Sequence, residues 1–160
     1  MFGIFKSTVE VVAPMNGRVV NLTSVSDPVF AGKSVGDGVA IDEIEGDVAG
    51  SPIDGVVSLI FHTNHAFAVT AKDGVEMLVH IGIETVGLGA GVFERLVEEG
   101  KTVKAGEPII HFDRTALERS GCSLITPVII TSMDKIAKIE GKHGIEVVAG
   151  KDTIFSYKLK

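Results

Sequence analysis

Apolar positions in this chain come in short runs rich in Val and Ile, each closed within a few residues by glycine or a polar turn. Brief β-branched runs bounded by turn residues predict strands rather than helices. Expected strands cover 9–13, 17–21, 38–43, 55–60, 65–71, 75–81, 109–112, 128–131 and 154–158. Asn16-Gly17, Asp54-Gly55 and Asp73-Gly74 supply turn signals between them. A helical period is visible only at 114–120 and around 133–139, enough for a turn or two each. The prediction is an all-β chain, an antiparallel β-sandwich or flattened barrel with one or two short helical turns.

Two internal echoes refine that picture. Ala13-Pro14-Met15-Asn16-Gly17-Arg18-Val19-Val20 resembles Ser51-Pro52-Ile53-Asp54-Gly55-Val56-Val57-Ser58, and Val103-Lys104-Ala105-Gly106 resembles Val147-Val148-Ala149-Gly150. Two irregularly spaced copies are too few for a solenoid, so they read as repeated strand-turn-strand units inside one sandwich. The 160 residues contain no Pro/Ser-rich linker. We therefore expect a short N-terminal segment, 1–8, followed by a single domain, 9–160.

Composition narrows the function. With 45% hydrophobic and 22% charged residues the chain belongs with ordinary globular proteins rather than disordered ones. A net charge of −6, unclustered basic residues, one tyrosine and no tryptophan argue against nucleic acid as a partner. No apolar run approaches the roughly 20 residues that span a bilayer, and the N-terminus lacks a signal-peptide pattern. The expectation is a cytoplasmic chain, not an integral membrane protein. Cys122 is the single cysteine; flanked by Gly121 and Ser123, it reads as a small packed residue in a reducing compartment.

The candidate chemistry lies with histidine. Of His62, His65, His80, His111 and His143, only His65 and His80 flank a strand-turn-strand pattern, with Lys72-Asp73-Gly74 at its tip. A loop centred on Lys72-Asp73 puts His65 directly opposite His80. One centred on Asp73-Gly74 puts Phe67 opposite His80, with His65 diagonal on the same face. A three-residue loop sends the two histidines to opposite faces. Phe61 and Phe67 bracket His65, while Leu78, Val79 and Ile81 bracket His80, so partial exclusion of water keeps both imidazoles neutral and nucleophilic. Thr63, two residues before His65, places a hydroxyl within reach of either ring if the strand is regular. His62, His111 and His143 read as ordinary surface or packed residues.

Several segments, in order, resemble the glucose-type IIA component of the bacterial phosphoenolpyruvate-dependent sugar phosphotransferase system. They are Asp27-Pro28-Val29-Phe30, Val35-Gly36-Asp37-Gly38-Val39-Ala40-Ile41, Ser51-Pro52-Ile53-Asp54-Gly55, Thr63-Asn64-His65-Ala66-Phe67 and Thr126-Pro127-Val128-Ile129-Ile130-Thr131-Ser132-Met133-Asp134. The most specific is Gly74-Val75-Glu76-Met77-Leu78-Val79-His80-Ile81-Gly82-Ile83-Glu84-Thr85-Val86, in which Glu84 stands where the family commonly has Asp. The resemblance implies an antiparallel sandwich with jelly-roll-like connections. It also implies a phosphoryl group taken by His80 through Nε2 from the histidine-containing phosphocarrier protein and passed to a cysteine of a IIB domain. His65 matches the auxiliary histidine and Thr63 the threonine of its hydrogen-bond network. An apolar docking rim is implied at Val29, Phe30, Val35, Phe61, Phe67, Leu78 and Val86. No cofactor is required, and the sugar is not legible.

Two other readings compete. Met133-Asp134-Lys135 and the Ala-Gly echoes resemble lipoyl- or biotin-type swinging-arm carriers, which need the modified lysine at a hairpin tip. A metal-dependent binding module or hydrolase is the second. His65 and His80 could hold zinc only if a partner supplied a further ligand, since no carboxylate or cysteine cluster accompanies them in sequence.

Overall fold

The computed structural model describes residues 7–89 and 91–160. Most of the expected N-terminal segment, 1–6, lies outside the described residues. The strands are β1 (Val9–Val12), β2 (Gly17–Asn21), β3 (Asp37–Asp42), β4 (Val48–Gly50), β5 (Gly55–Ile60), β6 (Ala66–Ala71) and β7 (Glu76–His80). They continue with β8 (Phe93–Arg95), β9 (Thr102–Val103), β10 (Pro108–Phe112), β11 (Thr126–Ile130), β12 (Ile136–Gly141), β13 (Glu146–Val147) and β14 (Thr153–Leu159). Two short α-helices, α1 (Pro28–Ala31) and α2 (Arg114–Ser120), and three 3₁₀ turns (Leu22–Ser24, Thr85–Gly87 and Met133–Lys135) lie between them. One sheet has eight strands in the order β13-β2-β3-β11-β7-β6-β5-β9; two three-stranded sheets run β1-β14-β12 and β4-β10-β8. The described pairings are antiparallel and the sheets stay open, so the expected all-β sandwich is what forms.

Strand alternation sorts the side chains of the large sheet into two cores. Val39, Ile41, Val79 and Val128 enter the main core with Phe155 and Tyr157 of β14 and Ile110 and Phe112 of β10. The intervening Ala40 and Ile129 turn to the other face, where they join Leu22, Val25, Phe30, Ile83 and Ile125, with Leu78 packed against them. Helix α1 supplies Phe30 to this second core. The Asp27 carboxylate accepts from the Val29 amide (2.9 Å) and Pro28 opens the helix, a short helix that the hydrophobic pattern did not predict.

The helical expectation at 114–120 is met by α2, capped by Asp113. The one at 133–139 is not. Only Met133–Lys135 form a 3₁₀ turn, and the chain then runs as β12 along β14. A bulge between Ile136 and Lys138 resets the alternation, so that Ile136 and Ile139 both reach the main core. Apolar residues three apart therefore mimic a helical period. This also places Lys135 on a turn between strands of different sheets rather than at a hairpin tip, contrary to what a swinging-arm carrier needs.

The sequence echoes are a local twofold pseudosymmetry. Val12 N–H donates to Pro52 O (2.9 Å) and Gly50 N–H to Pro14 O (2.8 Å). Gly150 N–H donates to Ala13 O (2.9 Å) and Gly106 N–H to Ser51 O (2.8 Å). The side chains follow suit: Asn16 Oδ1 accepts from Ala149 N–H (2.8 Å) and Asp54 Oδ1 from Ala105 N–H (2.7 Å). Gly106 and Gly150 face each other, so close that a Cβ on either would stand 3.1 Å from the other's Cα.

Candidate active site

Neither expected hairpin register is adopted. Ala71 N–H donates to Val75 O and Gly74 N–H to Ala71 O (2.9 Å each), closing a three-residue loop in which Gly74 takes φ +86°. Ala66 thus opposes His80 and Phe67 opposes Val79. By alternation alone His65 would point into the main core beside Phe67, away from His80. Yet the two imidazoles meet, with ring centroids 4.9 Å apart and planes at 83°. The pleat ends at Ala66. His65 lies before the strand, in a tight turn where Phe61 N–H donates to Ala66 O (2.9 Å), Asn64 N–H donates to Phe61 O (2.7 Å) and Asn64 is left-handed at φ +62°. That local twist brings the His65 ring to the face that carries His80.

Each ring is oriented by its Nδ1. A carbonyl can only accept, so the 2.7 Å contact of His80 Nδ1 with Gly82 O fixes the proton on Nδ1 and leaves the Nε2 lone pair free. Gly82 holds that carbonyl with φ +72°, and a Cβ there would press on Thr85 Cγ2 at 2.7 Å. His65 Nδ1 lies 2.5 Å from Thr63 Oγ1. Around the pair stand Phe30 against His80 (5.0 Å), Phe61 edge-on to His65 (5.3 Å) and Phe93 on its far side (6.3 Å).

This environment holds both imidazoles neutral. Burial first, then the neighbouring His80, pushes the His65 pKa down to about 4. Burial likewise lowers His80, against the opposing pull of the Gly82 carbonyl, the Asp27 carboxylate and its own backbone carbonyl. The arrangement presents one neutral nitrogen nucleophile beside a second imidazole able to donate a hydrogen bond to whatever the first one carries. Among the described residues no group of three or more His, Cys, Asp or Glu is placed to hold a metal ion. His62 and His143 lie exposed, and His111, on β10, pairs with Asp47 at 3.2 Å.

The expected rim divides. Val29 on α1, Val35 just after it and Val86 after β7 are exposed, Val86 at 56%. Phe61 and Leu78 are half-buried. Phe67 is a correction: it is 0% exposed and sits in the main core, because the three-residue loop places it opposite Val79. Phe30 is nearly as buried, with its ring tilted at 59° to that of His80. Sequence reading did not find Gly82 O, Asp27, Phe93 or Arg95. Only Asp27 carried a signal, as the cap before Pro28.

Residues 9–136 match the family model for the phosphoenolpyruvate-dependent sugar phosphotransferase system, EIIA 1. A glucose-specific EIIA component from Bacillus cereus is 43% identical over 162 aligned positions, covering 100% of this chain and 98% of that protein. The one from Haemophilus influenzae is 46% identical over 150, covering 94% and 89%. The solved glucose permease IIA from Mycoplasma capricolum superposes with a TM-score of 0.84 at 31% identity, over 97% of this chain and 99% of that one. Among the described residues no helix is long and apolar enough to cross a membrane. With the family model spanning most of its length and relatives matched nearly end to end, the chain belongs to the EIIA 1 family of the phosphoenolpyruvate-dependent sugar phosphotransferase system.

Proposed function

We propose that this chain is the cytoplasmic phosphoryl carrier of a sugar uptake system, loaded on His80 Nε2 and emptied onto a cysteine of a IIB domain at the transporter. The observation that carries it is the His80 Nδ1–Gly82 O hydrogen bond, which aims an unprotonated Nε2 outward beside His65. In loading, the Nε2 lone pair attacks phosphorus on the phosphohistidine of the phosphocarrier protein. A new N–P bond forms as the old one breaks, and the donor imidazole leaves with the electron pair. In unloading, a IIB thiolate attacks the same phosphorus and His80 leaves as the neutral imidazole that began the cycle. Thr63 Oγ1 lies against His65 Nδ1, and we assign the hydroxyl as donor there, which leaves the His65 Nε2–H to hydrogen-bond the phosphoryl oxygens while charge spreads over them.

Both partners must reach one nitrogen, so the apolar side chains Val29, Val35 and Val86, with Phe61 and Leu78, form the docking rim. A net charge of −6 favours partners with basic rims and a salt-sensitive association rate. Glucose, named for the relatives, is the first sugar to test. Incubation with phosphoenolpyruvate and the general phosphotransferase enzymes should label His80 in an acid-labile, alkali-stable form, and His80→Ala should abolish labelling. Phosphate on Ser, Thr or Asp, or none, overturns the reading.

A further inference from the structure

The turn that presents His65 is held from outside by β8. Asn64, between Thr63 and His65, adopts the left-handed conformation at φ +62°, which few residues other than glycine tolerate. Its side chain is gripped twice. Oδ1 accepts from Arg95 Nε at 2.9 Å, and Nδ2 donates to Phe93 O at 3.4 Å. The Phe93 ring meets the His65 ring at 6.3 Å. Arg95 is itself fixed, opposite Ile110 on β10 and 3.7 Å from Glu98. The backbone twist that overrides the hairpin's alternation is thus braced by an arginine 31 positions further along the chain.

We infer that Arg95 is a positioning residue for phosphoryl donation: through the Asn64 carboxamide it locks the turn that aims His65 at the phosphoryl group on His80. The inference rests on the phosphoryl-carrier reading above. Arg95 touches neither imidazole, so its effect reaches the reaction only through His65. Losing the grip lets the turn rock and the His65 ring wander, while His80, fixed separately by Gly82, keeps its lone pair aimed. A displacement of 1 Å can cost roughly a hundredfold in rate, so partial loosening should cost about tenfold.

The test is a double-mutant cycle on the single-turnover rate of donation from purified phosphorylated protein to a IIB domain. Arg95→Gln should slow donation about tenfold, yet add less than about twofold in a His65→Gln background, because coupled residues are not additive. Asn64→Gly, which keeps the left-handed backbone at no steric cost but removes the anchor, should reproduce the Arg95→Gln loss with normal thermal unfolding. Should Arg95→Gln fold poorly, the Asn64→Gly cycle decides alone. Equal slowing in both backgrounds, or no slowing by either variant, overturns the role of Arg95 while the carrier function stands. Failure of the parent to carry phosphate at all overturns both.

Discussion

His65 stays neutral in the folded chain down to about 4, held there by burial first and the adjacent His80 second. Unfolded, it titrates from its ordinary 6.5. Between those values the unfolded chain binds more protons than the folded one, so this contribution to stability is complete above 6.5 and is lost as pH falls through the window. His80, lowered by burial, acts in the same direction. His65→Gln cannot take up that proton, so the stability gap between parent and variant should shift in favour of the variant as pH falls from about 7 to about 4.5. Urea midpoints at the two pH values measure it; an unchanged gap would show His65 to be solvated. The same variant should accept phosphate on His80 but donate it slowly, with a barrier raised by up to roughly 2.7–4 kcal/mol. The two histidines were legible from Leu78-Val79-His80-Ile81-Gly82 and Thr63-Asn64-His65 because each lies in a specific run of neighbours. The Gly82 carbonyl was not, since its direction depends on a backbone dihedral that the residue name only permits.

At the level of elements, the long strands with their own β-branched runs were legible, as were α2 and the turns at Asn16-Gly17 and Asp54-Gly55. Of the missed strands, β4, β8, β9 and β13 have two or three residues each and exist because distant partners pair with them, while the six-residue β12 was hidden by the bulge that mimics a helical period. Nothing in Thr102-Val103 alone announces a strand. The hairpin register failed for a related reason: loop length was set by the left-handed Gly74, and one residue of shift moves every side chain to the other face. That shift decides which aromatic residues hold the fold and which face a partner. Phe67→Ser should lower stability by about 3–5 kcal/mol, as removal of a buried ring does. Val86→Ser should stay within about 0.5 kcal/mol of the parent while weakening transfer from the phosphocarrier protein. Chemical unfolding combined with transfer kinetics separates the two; a stable Phe67→Ser with impaired docking would return that ring to the rim.

Across the whole molecule, the pseudosymmetry ties both halves together where Gly106 and Gly150 meet. Both are left-handed, at φ +89° and +73°, and a Cβ on either would press at 3.1 Å on the other's Cα. Gly106→Ala should therefore lower thermal stability, by about 1–3 kcal/mol, without altering the product formed at His80. A calorimetric scan beside a labelling assay tests this, and an unchanged melting temperature would show the contact to be slack. The echoes made the repeated strand-turn-strand units readable, though not that the copies meet or that Asn16 and Asp54 play matching parts. The same arrangement governs behaviour in a crowded cell. The large sheet ends on both sides in strands of only two residues, β13 and β9. Edges that short leave a foreign strand little of the large sheet to zip onto, which guards that sheet against edge-to-edge self-association. On the proposed carrier function, a partner that comes and goes should meet the outer face side chain to side chain and let go without unthreading a ladder of backbone bonds.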